Sequence, residues 1–182
     1  VSAGEMLERS LAYALGSVAE ARHMGLGRGT PCADWDLGEL LEHLDDSLYE
    51  GLSGGRIGVL PHADRVCGFR TRVCAVLGAW AAGPPEEVLV GERPLDVRVM
   101  AAVGAVEITV HGWDVARSCG RPRPIPEGLA AELLSVARCV VGEEDRGLRF
   151  ADPVAVPSGA RPDVRLLGFL GRDPQRACRA RL

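Results

Sequence analysis

Lysine is absent from this 182-residue chain. All 21 basic side chains are arginines, set against 25 acidic ones for a net charge of −4. Aromatic residues are scarce, at 4%. With no basic stripe interleaved with aromatic rings, the chain lacks the footprint of a nucleic-acid binder. No uninterrupted apolar run reaches the roughly 18 residues of a bilayer-spanning helix, although 47% of residues are hydrophobic. The opening residues, VSAGEMLERS, place two glutamates ahead of any apolar run and offer no basic leader region. A cytoplasmic protein without membrane or nucleic-acid partners is the expectation.

The six cysteines, Cys32, Cys67, Cys74, Cys119, Cys139 and Cys178, are spread along the chain without a C-x-x-C, and in a chain of this size without a secretory signal no disulfide framework is indicated. Cys67 and Cys74 stand two helical turns apart, roughly 10 Å, which is too far for a disulfide on one helix. Most of the six are expected to be small buried hydrophobes.

What the chain has is helical periodicity. Met6, Leu7, Leu11, Leu15 and Val18 predict a first helix over Ala3 to Met24. GLGRGT ends it; no strand precedes that string and its third glycine falls one position early for a phosphate loop, so it reads as a plain turn. In PCADWDLGELLEHL, Asp36 and Glu39 form an aspartate version of the capping box, with Trp35 and Leu40 placed as a hydrophobic staple. That second helix runs to about Glu50. A third spans Asp64 to Ala82, VLVGERPL is a short extended connection, and a fourth runs from Leu95 to Cys119 with Gly120 just past its end. A fifth covers Pro126 to Val141, and the tail holds an extended stretch and a short helix from Pro162 to Leu170. Helices joined by short connections predict a single all-α domain over residues 1–182, built as a bundle.

The stretch AVEITVHGWDVA places Glu107 and His111 in the apolar middle of the fourth helix. A carboxylate there loses its hydration and needs a proton, a partner or a metal. Four residues apart, the two share one helix face, which Asp114 and Ser118 extend. His43 is the other histidine in an apolar mid-helix setting; His23 ends a helix and His62 sits in a loop. If the second and fourth helices are neighbours, His43, Glu107 and His111 make a three-ligand set with an open position, of the catalytic kind. Two alternatives stand beside it: a hydrogen-bonded core histidine, and a local Glu107–His111 ion pair. Zinc suits the donor set best, and nickel also fits.

Three segments carry a family resemblance. TPCADWDLGELLEHL resembles a T-P-C-x-x-W-D…L-x-x-H signature, VEITVHGWDVARSCGRP an E-x-x-x-H-G-W-D-x-A-x-x-x-G-R signature, and FADPVAVPSGARPDVRLLGFLGRDP a C-terminal segment closing on L-G-R-D-P. In order, from Thr30 to Pro174, they resemble the DinB-like, mycothiol-dependent maleylpyruvate isomerase group of metal-binding proteins, typical of actinobacteria. The resemblance implies an up-down-down-up four-helix bundle with a divalent ion held by His43, Glu107 and His111. Many DinB-like relatives carry a histidine where Glu107 stands, and the isomerase branch carries glutamate. The isomerase has a larger C-terminal domain with a further essential arginine; the short tail here offers Arg161, Arg165 and Arg172 without singling one out.

The chemistry expected is activation of a small thiol, mycothiol or similar, as nucleophile toward a small electrophilic metabolite, giving transfer or isomerisation. Metal-activated water for hydrolysis and a non-catalytic metal-binding module are the competing readings. Asp114 either orients a ligand imidazole or is a plain helix-surface carboxylate. Trp35 and Trp113 either line a pocket or serve as staple and core. Arg117, Arg121 and Arg123 either meet an anionic substrate or sit in solvent near a helix C-terminus.

Overall fold

The computed structural model describes residues 1–32, 35–48, 65–90, 93–147 and 149–175. Six α-helices and one hairpin appear among them: α1 (Ala3–Ala19), α2 (Leu37–Asp46), α3 (Arg65–Ala81), β1 (Glu87–Val90), β2 (Arg93–Asp96), α4 (Val97–Ser118), α5 (Glu127–Val140) and α6 (Pro162–Phe169). The fold is all-α in its working parts. The extended connection pairs on itself as an antiparallel hairpin, with Glu87 opposite Asp96 and Val90 opposite Arg93.

Helix starts follow local chemistry. Ser2 and Glu5 form a reciprocal capping box on α1. On α2, Asp36 Oδ1 accepts from the Glu39 amide at 2.9 Å, and the Glu39 carboxylate accepts from the Asp36 amide at 2.8 Å. That reading of the sequence holds. The first helix is shorter than its apolar spacing suggests, because Glu20–His23 tightens into a 3-10 turn. The predicted continuation of the second helix to Glu50 lies outside the described residues beyond Leu48. α5 begins at Glu127, with Pro126 just before it at the cap position rather than in the first turn, and Gly120 follows α4 at φ +69°, as expected.

α4 holds the molecule together. Its first core cluster is shared with α1, α2 and α3 through Leu11, Leu40, Leu44, Phe69, Val73 and Ile108. A second cluster on its other side is shared with α1, α5 and α6 through Tyr13, Val110, Trp113, Leu129, Leu133 and Leu166. A helix walled on both sides is apolar around most of its circumference, which explains why VRVMAAVGAVEITV carries only two charges, Arg98 and Glu107. Over an 18-residue window its mean hydropathy reaches 1.2, yet 72% of that window is buried inside the protein. α1 reaches α4 closely at Gly112, where a side-chain carbon would stand 3.2 Å from the Ala14 Cα.

α2 packs on both α3 and α4. The α2–α3 contact includes a buried ion pair, Arg72 Nε to Asp45 Oδ1 at 2.5 Å. The neighbour relation of α2 and α4, which the sequence left conditional, is thereby met. One expectation fails: Cys67, Cys74 and Cys139 are exposed, Cys32 is half-buried, and only Cys119 is buried among the described cysteines. The first three lie on helix positions that face away from both core clusters, so their small size is not used for packing. Cys178 lies outside the described residues.

Two outcomes test this account. Replacing Asp36 with alanine removes the α2 cap and costs about 1 kcal/mol of unfolding free energy, read from urea titration. Tyr13 donates to the Arg123 carbonyl at 2.6 Å, and burial pushes its phenol above the ordinary value of 10.0. The unfolded chain therefore ionises first as pH rises. The stability linked to Tyr13 is complete below pH ~10 and falls above it. Tyr13→Phe flattens that fall in unfolding titrations between about pH 9 and 11.

Candidate metal centre

His43 comes from the middle of α2, and Glu107 and His111 from one face of α4. One nitrogen or oxygen from each of the three lies within 4.8 Å of the others. His111 Nε2 is 3.4 Å from Glu107 Oε2, and the rings of His43 and His111 meet edge-on with centroids 4.9 Å apart. The three predicted ligands are brought together across the α2–α4 contact.

Behind His111 stands Asp114, fully buried, with Oδ2 3.1 Å from His111 Nδ1. The same Oδ2 accepts from the Arg172 guanidinium at 3.1 Å. This fixes the imidazole chemically. Burial opposes charge on Asp114, but Arg172 and the His111 contact outweigh it and hold its carboxyl below the usual range. An ionised carboxylate only accepts, so Nδ1 must carry the proton. Neutral His111 is left with its lone pair on Nε2, facing Glu107. A carboxylate behind a histidine whose other nitrogen faces further donors is how proteins set up an imidazole for a metal.

The charges agree with that arrangement. Burial lowers the pKa of His43, and the neighbouring His111 lowers it further, favouring the neutral, ligating form. Burial alone would lower His111, but hydrogen bonds to Asp114 and Glu107 win and raise it. Glu107 is lowered despite desolvation, chiefly by its contact with His111. Two carboxylates around one imidazole therefore attract a cation: a proton on His111, or a metal in its place.

Trp35 closes one side. Its ring centroid is 4.4 Å from that of His43 and 5.6 Å from that of His111. The indole lines the site and also packs on the core cluster that contains Leu40, so the staple alone understates its role. Trp113 is a core residue, with Arg117 over its ring at 5.6 Å. Glu107 keeps about a third of its side chain exposed and His43 is half-buried, so among the described residues the cluster has an accessible side.

The remaining sequence candidates go elsewhere. Ser118 Oγ donates to the Asp114 carbonyl within α4. Arg121 is an exposed partner of Glu20, and Arg123 lies over the Tyr13 ring. His23 is exposed on the 3-10 turn, and His62 falls outside the described residues. A groove of about 340 Å³ between α1 and α3, lined by Leu15, Val18, Val66 and Cys67 among others, contains none of the cluster residues. Arg172 is the residue that sequence reasoning did not single out. Its signal was faint: an arginine directly after a glycine that ends an apolar helical run.

Comparison with known proteins gives two relatives, both uncharacterized proteins of Mycobacterium tuberculosis, one from strain CDC 1551 / Oshkosh and one from strain H37Rv. Each is 28% identical to this chain over 162 residues, covering 85% of the chain and 89% of the relative. No family model matches, and no solved structure matches.

The donor set, two imidazoles and a carboxylate, could hold a divalent ion. His111→Ala removes a ligand whose ring is already oriented. Elemental analysis of the purified wild type and variant tests the site: an ion bound at this cluster is expected to be lost in the variant, with the helical circular-dichroism signal retained.

Proposed function

We propose that this chain is a metal-dependent S-transferase or isomerase that uses a small thiol of the mycothiol type on a small electrophilic metabolite. The observation that carries the reading is the convergence of His43, Glu107 and His111 on one accessible point, with His111 pinned from behind by Asp114. Three protein donors with an open side are what a catalytic ion needs, whereas a structural ion is closed in by four.

His43, Glu107 and His111 would hold a divalent ion, zinc first and nickel second, which would supply a Lewis acid able to lower a thiol pKa from about 8.5 toward neutrality. The chain's own residues do the rest. Asp114 holds His111 in one tautomer and one orientation. Glu107 contributes a negative charge and faces solvent on one edge. The Trp35 indole walls the histidine pair with an apolar surface that limits water near the reacting groups.

The proposal extends to the architecture and setting. The contacts of α4 with α1 and α2, and of α3 with the same two helices, support a DinB-like up-down-down-up bundle of α1–α4. α5, α6 and the tail then form an addition on the α4 side. The mycobacterial source of both relatives is in keeping with the actinobacterial group that the three motifs resemble. A cytoplasmic location suits a thiol-dependent reaction.

Turnover of a panel of small electrophiles, with and without added thiol, tests the reading. Thiol-dependent adduct formation or isomerisation is expected, and it is lost on chelation and in His111→Ala. Turnover that proceeds without thiol and releases hydrolysis products would assign the centre to water activation instead. Full activity in metal-free His111→Ala would remove the metal from the reaction altogether.

A further inference from the structure

Arg172 is an unusual residue to find where it is. It belongs to the tail, three residues past the end of α6, yet only 7% of its surface is exposed. The tail's other two candidate arginines behave ordinarily: Arg161 is an exposed partner of Asp163, and Arg165 is exposed on α6. Burying a guanidinium is costly unless its charge is met. Here it is met by one carboxylate, Asp114 at 3.1 Å, while its other terminal nitrogen donates to the Leu170 carbonyl at 2.9 Å.

The backbone is shaped to deliver it. Gly171 takes φ +79°, and a side-chain carbon there would stand 2.7 Å from the Ala151 carbonyl oxygen. Only glycine makes this turn at this spacing. The Arg172 amide then donates to the Leu167 carbonyl at 2.8 Å, closing the end of α6. The preceding segment is clamped as well, since the Val154 amide donates to the Gly168 carbonyl at 2.8 Å. The result is a guanidinium directed from the C-terminal segment onto the back of a carboxylate whose same oxygen contacts His111.

We infer that Arg172 is a positioning residue of the metal centre, acting through Asp114 to hold the His111 ring, so that the tail contributes to metal affinity without touching the ion. The inference rests on the metal-centre reading above. Without Arg172, the buried Asp114 loses its counter-charge and no longer has a fixed location from which to orient His111. Loss of such an outer partner weakens metal binding by about 10- to 100-fold in comparable centres.

The test compares the full-length wild type with Arg172→Met, Arg172→Lys and Arg146→Met, using zinc alone in competition with a chelator. Arg146 is the control. It donates to the Ala151 and Phe169 carbonyls and lies over the Phe169 ring, clamping the same tail without approaching Asp114. About 10- to 100-fold weaker zinc binding is expected in Arg172→Met, with Arg172→Lys in between and Arg146→Met near wild type. The cobalt-substituted Arg172→Met protein should also show a shifted visible spectrum, which loss of stability alone would not produce. Zinc binding unchanged in Arg172→Met, or weakened equally in Arg146→Met, overturns the inference. If Arg172→Met does not fold, hydrogen exchange in the wild type decides. Because coupling is reciprocal, zinc should slow exchange at the Arg172 amide, and an unchanged rate overturns the inference. A wild type that takes up no stoichiometric zinc brings down the metal reading itself, an outcome distinct from all of these.

Discussion

The burial of one carboxylate, Asp114, sets the terms for everything around it. It sits at zero exposure on a helix packed between two apolar clusters. An isolated charge in such a place is far too expensive to keep, so its surroundings must supply compensation. Two groups do: a guanidinium from the end of the chain and an imidazole from the preceding turn of the same helix. The first demands that α6 and its tail dock on α4. The second fixes the tautomer of His111 and turns its free nitrogen toward Glu107. Fold and site thus share a single electrostatic requirement.

Much of this was legible in the sequence, for identifiable reasons. The capping box at Asp36 and Glu39 is local chemistry, so the start of α2 could be read without knowing its neighbours. The i, i+4 relation of Glu107 and His111 is helix geometry. Both capping and helix geometry act over a few residues. His43 joined them only through the α2–α4 contact, which no spacing within either helix specifies.

What was not legible depended on long-range packing. Arg172 and Asp114 are 58 residues apart, and their pairing follows from how α6 packs on α5 and α5 on α4. The positive φ of Gly171 gives a physical reason for the glycine of the L-G-R-D-P segment, and the close approach of Ala151 adds a second. The cysteines misled for a related reason. Composition says that cysteine is often buried, whereas the positions of Cys67, Cys74 and Cys139 on their helices say otherwise. Trp35 was read through its neighbour in sequence, Asp36, and so its contact with two imidazoles went unweighed.

The placement of Trp35 has an optical consequence. An indole within 6 Å of two imidazole rings has its excited state quenched more strongly when those rings are protonated than when they are neutral. The two other indoles are differently placed, Trp113 in the second cluster and Trp80 against Gly4. One of three emitters in this chain is therefore coupled to the protonation state of the histidine pair. The protein carries its own fluorescent indicator of whether that pair is charged, neutral or engaged by a ligand.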